Sequence, residues 1–150
     1  MPFHFSRKRV DRTRCSLLFS NKEVKLDRDE TRELVLKAAR AAFDKKGEDI
    51  LILNIGKVAS YITDYFLIVT GKTSEHLRAM ADFIEEKLSE EGAVMDHIEG
   101  YEVGKWILMD YGDFVVHIML EATRAYYSLE DMWGDAEEEK FDVEKAERGD

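Results

Sequence analysis

The chain has 150 residues, of which 45% are hydrophobic, and a formal net charge of −10 at pH 7, which is typical of one soluble globular domain. Asp, Lys or His interrupts the longest apolar stretches within a few positions, so none reaches the roughly 20 residues that cross a bilayer. The single cysteine, Cys15, forms no internal disulfide, and the four histidines are scattered. These features exclude a transmembrane protein, a disulfide scaffold and a zinc-ligand framework.

The charge is distributed unevenly along the chain. Residues 1–25 contain seven basic and two acidic residues, and residues 134–150 contain eight acidic and three basic ones. The charges of these two ends, +5 and −5, cancel each other. Residues 26–133 therefore carry the net charge of −10. A domain this acidic repels a nucleic-acid backbone, and we interpret it as a protein-binding domain.

Both ends of the chain are predicted to be disordered. The arginine-rich, acid-poor arm of residues 1–25 fits a disordered extension or an early start codon, and it also has the composition of an organelle transit peptide. The acidic tail of residues 134–150 has no strong apolar stripe apart from Phe141 and Val143. The predicted domain is therefore residues 26–133.

Apolar periodicity predicts the first elements of this domain. A helix is expected from Asp29 to about Lys46, with Gly47 as its stop. Two runs rich in Ile, Leu and Val follow, DILILNIG and YFLIVTG, and each is typical of a strand that is buried on both faces. Ser74 is expected to cap a second helix, which Gly92 closes.

The last third of the domain is richer in strands. The predicted strands are Val94 to Glu99, Trp106 to Tyr111, and Phe114 to Met119. Gly112-Asp113 suits a tight hairpin turn between the last two, and a helix from Glu121 to Trp133 follows. The sequence therefore predicts an α/β domain with a mixed five-stranded sheet and flanking helices.

Enzyme motifs are weak in this sequence. The stretch GKTSEH from Gly71 resembles the end of a phosphate-binding loop, but the upstream glycine of that motif is missing. A helix N-terminus capped by Ser74 accounts for the same residues without a ligand. His117 with Asp110 or Asp113 is the alternative for a hydrolase or small nucleotidyltransferase, but no Ser or Cys stands at a plausible position. A mid-strand histidine is more often structural. We therefore predict no catalytic residue, no metal and no cofactor.

Trp106 is the most informative side chain. It begins a strand after the loop Gly100-YEVG, where a large amphipathic ring is either packed under the loop or displayed to a partner. The sequence leaves both interpretations open. Arg124, Tyr126 and Tyr127 follow in the same third of the chain, and these residue types are enriched at protein–protein interfaces.

The segment from His97 to Trp133 resembles the ribosomal silencing factor family, also called the Iojap-related proteins. Its pieces match in order: Glu99-Gly100, Trp106, Asp110-Tyr111-Gly112-Asp113, His117, Arg124, Tyr127, Leu129-Glu130 and Trp133. Upstream, Thr63-Asp64 and Thr70-Gly71 match as well. The resemblance covers about Thr31 to Trp133 and neither tail.

The resemblance implies a fold similar to the nucleotidyltransferase core, with the acidic catalytic motif absent. Members of the family bind the large ribosomal subunit through ribosomal protein uL14 and block joining of the small subunit when nutrients are scarce. Organelle members act instead in assembly of the mitochondrial or plastid large subunit.

The resemblance also implies a partner-binding site. Its partner-facing residues are Trp106, Asp110, Tyr111, Gly112 and Asp113, supported by His117, Arg124 and Tyr127. Tyr111 departs from the family, in which a smaller aliphatic residue is common. We expect a cytoplasmic protein, or a mitochondrial or plastid one if residues 1–25 are a transit peptide. We further expect a monomer or weak homodimer without membrane contact, whose basic arm makes a weak rRNA contact.

Overall fold

The computed structural model describes residues 28–142 together with Lys145 and Arg148. The predictions for the basic arm, and for most positions beyond Asp142, lie outside the described residues. The helices are α1 Arg28–Asp44, α2 Gly56–Ala59, α3 Ser74–Glu90, α4 Glu121–Tyr127 and α5 Leu129–Met132. The strands are β1 Glu48–Asn54, β2 Tyr65–Gly71, β3 His97–Glu99, β4 Trp106–Asp110, β5 Phe114–Leu120 and β6 Glu137–Lys140. None of the described helices is both long and apolar enough to cross a bilayer.

One mixed sheet organises the domain, with the strand order β3-β4-β5-β2-β1-β6. The central pair β2 and β5 is parallel, with Tyr65 opposite Phe114, and every other pair is antiparallel. The Gly112-Asp113 turn closes the β4–β5 hairpin, where the Tyr111 amide donates to the Phe114 carbonyl at 3.0 Å. Gly112 has a φ of 84°, a conformation that favours glycine. The predicted α/β class and hairpin are confirmed.

The two faces of the sheet are covered differently. The long amphipathic helices α1 and α3 bury apolar side chains at helical spacing on one face, among them Val35, Leu77 and Ile84. On the other face the short helices and the chain between them cover a second cluster, which includes Leu53, Trp106 and Leu129. The sheet is therefore the middle layer of a three-layer domain.

The prediction of five strands is wrong, because the sheet formed by the described residues has six. The sixth, β6, comes from the acidic tail that was expected to be disordered, and it pairs antiparallel with β1. The prediction of Val94 to Glu99 as a strand is too long, since only His97–Glu99 forms one. These three residues pair with Asp110, Met109 and Leu108 of β4. Just before them, the Asp96 amide donates to the Asp110 carbonyl at 2.7 Å.

The predicted helix from Glu121 to Trp133 is broken in two. Ser128 adopts the left-handed conformation with a φ of 44°, its amide donates to the Arg124 carbonyl at 2.8 Å, and its hydroxyl donates to the Ala125 carbonyl at 2.9 Å. The change of direction buries Leu129 completely in the second cluster. Core packing therefore overrides the continuous helical pattern.

The start of α3 differs from the prediction by one residue. Thr73, and not Ser74, is the N-cap, because its hydroxyl oxygen accepts from the His76 amide at 3.0 Å. Lys72 forms an ion pair with Glu48, with 3.1 Å between the Lys72 nitrogen and the carboxylate oxygen. The stretch that resembled a phosphate-binding loop is thus an ordinary capped helix start.

Candidate functional site

A groove of about 470 Å³ opens at the end of the sheet where β4 begins, between the β3–β4 loop and α4. Its walls are Gly100, Val103, Lys105, Trp106, Ala122, Thr123, Tyr126 and Tyr127. Val103 and Tyr126 stand on the surface with 69% and 80% of their area exposed. We call this feature the Trp106 groove. Exposed apolar and aromatic groups around a recess are typical of a protein-binding surface.

Trp106 forms the floor of the groove and not its rim. Only 4% of the residue is exposed, and the Tyr127 ring packs against it with 4.9 Å between centroids. Its indole nitrogen donates to Nδ1 of His117 at 3.0 Å. Of the two interpretations that the sequence left open, the structure supports the packed one.

His117 is a core residue on β5. It is completely buried, and Phe66 meets it in a T-shaped contact with 4.6 Å between centroids. Burial lowers the pKa of His117 to about 3, so the imidazole is neutral at physiological pH. Because Nδ1 accepts from Trp106, the proton is on Nε2. A buried, neutral imidazole of this kind has no access to a substrate, which weakens the enzyme alternative built on His117.

The pKa of His117 predicts an acid-sensitive fold. The unfolded chain binds a proton at this imidazole near pH 6.5, whereas the folded protein does so only near pH 3. The contribution of this imidazole to the free energy of unfolding is therefore fully present above pH 6.5. It is lost as the pH falls towards 3, by up to about 1.4 kcal/mol per pH unit. From this imidazole alone, we expect a free energy of unfolding about 2 kcal/mol lower at about pH 5 than at about pH 7.5.

Urea titrations of two variants isolate this contribution. The variant His117→Gln should lose the part of the pH dependence that comes from the imidazole, while Trp106→Phe, which leaves His117 buried, should keep it. Equal pH dependence in wild type and His117→Gln would show that the imidazole does not titrate as its burial requires.

The β4–β5 turn holds the other predicted partner-facing residues, and they too are buried. Asp110, Tyr111 and Asp113 are at most 2% exposed. Asp110 Oδ1 accepts from the Gly112 amide at 2.7 Å, and the Gly112 carbonyl accepts from the Thr63 hydroxyl at 3.1 Å. These contacts shape the turn from within.

Tyr111 packs inside the same turn. Its ring stacks on Phe114 with 4.9 Å between centroids, and burial raises the pKa of its phenol above the ordinary value. Buried side chains offer little contact area in the free protein, so these residues shape the turn, and a contact of Asp110 to Asp113 with a partner stays a prediction.

Arg124 joins α4 to the sheet. Its guanidinium donates to the Asp49 carbonyl at 2.7 Å, to the Thr70 hydroxyl at 2.8 Å and to the Glu130 carboxylate at 3.1 Å. Only 11% of its side chain is exposed. Arg124 thus fixes the position of the helix that carries Tyr126 and Tyr127.

Sequence reasoning did not single out four residues of the groove: Val103, Lys105, Ala122 and Thr123. The available signal was a valine in a loop bounded by Gly100 and Gly104, where no strand or helix pattern requires an apolar side chain. Within the described residues, no three His, Cys, Asp or Glu side chains are grouped so that they could hold a metal ion.

Comparison with known proteins gives the family. Residues 28–150 match the family model described as "Ribosomal silencing factor during starvation". The ribosomal silencing factor RsfS of Halalkalibacterium halodurans is 42% identical over 104 residues, which are 69% of this chain and 88% of that protein. The mouse protein "Mitochondrial assembly of ribosomal large subunit protein 1" is 33% identical over 92 residues, which are 59% of this chain and 40% of that protein.

A solved structure agrees with these matches. The crystal structure of a protein from Chromobacterium violaceum has a TM-score of 0.66 and 39% sequence identity, and the similarity covers 69% of this chain and 85% of that one. Sequence and fold thus agree, and the region matched by the family model contains the Trp106 groove. The chain therefore belongs to the ribosomal silencing factor family.

Proposed function

We propose that this protein is a cytoplasmic silencing factor that binds the large ribosomal subunit through ribosomal protein uL14 and blocks joining of the small subunit. Translation is thereby repressed when nutrients are limited. The observation that carries the proposal is the Trp106 groove, whose exposed Val103 and Tyr126 flank a buried aromatic floor in a chain of this family. A cluster of this kind is typical of the centre of a protein interface.

In this mechanism the protein blocks subunit joining by occupying its site on the large subunit, and no covalent chemistry is needed. A standard interface covers about 800 Å² on each partner, which is enough for a small domain to occlude a contact between the two subunits. Val103 and Tyr126 supply the exposed contact area, whereas Trp106 and the buried β4–β5 turn keep the groove in shape. In this proposal Asp110 to Asp113 keep the turn in shape, and their direct contact with the partner stays a prediction.

Charge is expected to accelerate binding. The net charge of −10 attracts a basic ribosomal protein and repels rRNA, so it raises the association rate more than the final affinity. With purified uL14, we expect saturable binding whose association rate falls at least about tenfold between about 50 mM and about 500 mM NaCl. The dissociation rate should change much less. Absence of saturable binding would contradict the proposed partner, and a salt-independent association rate would contradict the role of charge.

A second candidate function involves the same partner, the large ribosomal subunit, but serves its assembly and not its silencing. The match to the mouse protein, whose name refers to mitochondrial assembly of the large subunit, favours an assembly factor in an organelle. The N-terminus of the protein isolated from its own cells separates the two, because a transit peptide is removed and a bacterial extension is retained.

The basic arm is proposed to make the weak rRNA contact. A variant without residues 1–25 should then bind the large subunit more weakly than the full chain does. Unchanged affinity of that variant would refute the contact.

A further inference from the structure

The strand β6 lies at one edge of the sheet, and all four of its residues are charged. Three consecutive glutamates, Glu137 to Glu139, precede Lys140, and the strand pairs with β1 from Asn54 opposite Glu137 to Leu51 opposite Lys140. The Glu137 and Glu139 side chains are 64% and 42% exposed. An edge strand with so little apolar surface gains little from the hydrophobic effect.

Two ion pairs hold the glutamates of β6 to different helices. Glu139 pairs with Arg32 of α1, and Glu137 pairs with Lys57 of α2, with 3.2 Å between the Lys57 nitrogen and the carboxylate oxygen. Both pairs are exposed to solvent, so salt screens them. The two cations come from helices that pack on the body of the domain, and β6 is thus fastened at two points of its length.

Apolar contacts are found on both flanks of β6. Before the strand, Ala136 is 7% exposed in the second cluster, and after it the Phe141 ring lies 5.8 Å from the Phe43 ring. Beside the strand is an open crevice of about 830 Å³. Its lining includes Glu48, Asp49, Glu130 and Glu138 together with Arg124. Glu130 already pairs with Arg124 and Glu48 pairs with Lys72. Asp49 and Glu138 are therefore the carboxylates of the crevice that a further cation meets first.

We propose that β6 is a strap, latched on the edge of β1 by its two ion pairs, and that a polycationic segment releases it. Such a segment competes with Arg32 and Lys57 for the glutamates and finds further carboxylates in the crevice. Release frees the edge of β1 and widens the crevice beside Arg124. The proposal does not rest on the proposed function, because β6 is the last strand of the order, whereas β4, which carries Trp106, is the second.

Hydrogen exchange of the full chain, followed by mass spectrometry, tests the latch. In the double variant Arg32→Gln, Lys57→Gln, fragments that contain β6 should exchange about fivefold faster at low salt. Fragments from β2 should be unchanged. In wild type, about 500 mM NaCl should accelerate β6 exchange similarly, and it should have little further effect in the double variant. The matched control is Arg40→Gln, which removes an exposed pair with Asp44 inside α1.

Hexalysine is the probe for the polycation. At equal ionic strength it should accelerate β6 exchange more than NaCl does, because it binds the glutamates as well as screening them. Protection of β6 that is insensitive to salt and to the double variant would overturn the latch. Absence of protection at low salt would overturn the strap. Equal effects of hexalysine and NaCl would overturn release by a polycation.

Discussion

Replacing Trp106 with alanine is expected to lower the free energy of unfolding by about 3–5 kcal/mol, the range for removing a buried aromatic ring. The indole is 4% exposed, packs against Tyr127 and donates to His117. Its removal leaves a cavity and takes the donor away from a completely buried imidazole nitrogen. Urea unfolding followed by circular dichroism measures the loss.

Trp106→Phe is the informative companion to this variant. It keeps a buried aromatic ring, removes the hydrogen bond and leaves a smaller cavity than alanine does, so we expect about 1–2 kcal/mol of destabilisation. A Trp106→Ala protein as stable as wild type would contradict the packed position of the ring. Because this substitution disturbs the fold, weakened ribosome binding by Trp106→Ala would not by itself identify a contact residue.

Tyr126→Ala is expected to weaken binding to the large subunit by at least about 2 kcal/mol, or roughly 30-fold in the dissociation constant. Tyr126 is 80% exposed at the rim of the Trp106 groove, so its side chain supplies contact area that the fold does not need. Its removal should change the free energy of unfolding by less than about 0.5 kcal/mol. Titration of labelled protein with purified large subunits measures the affinity.

Val94→Ala is the matched control for this prediction. Val94 is 74% exposed but lines a different crevice, beside Asp82 and Glu85. Its replacement should leave the affinity unchanged. If Tyr126→Ala binds the large subunit as tightly as wild type does, the partner surface is not the Trp106 groove. The same conclusion follows if Val94→Ala loses as much affinity as Tyr126→Ala.

Apolar runs made most of the sheet predictable. The runs at β2 and β5 are buried along nearly their whole length, and Gly112-Asp113 forms the expected turn between β4 and β5. In both cases the local pattern and the tertiary environment require the same residues, which is why the sequence alone was sufficient.

The sixth strand had no such local signal. The letters EEEK show neither the alternation nor the branched side chains of a typical strand. The side chains of β6 bury little apolar surface. Backbone pairing with β1 and ion pairs with Arg32 and Lys57 stabilise the strand instead. These partners are distant in sequence, so only the folded arrangement brings them to the tail.

The candidate site was predictable in position but not in its exposed residues. Trp106 was identified, yet its burial depends on His117 of β5 and Tyr127 of α4, and on the break at Ser128 that directs the helices. A one-residue change of strand register would move Trp106 to the other face of the sheet. Register and the direction of a short helix are tertiary properties, and the sequence therefore left the two interpretations of Trp106 open.

The central claim is tested most directly by sedimentation of purified ribosomal subunits through a sucrose gradient under conditions in which they join. We predict that the protein travels with the large subunit and that the peak of joined ribosomes falls as more protein is added. The Tyr126→Ala variant should leave that peak nearly unchanged. If the wild-type protein stays at the top of the gradient and joining is undisturbed, the account of subunit silencing is contradicted.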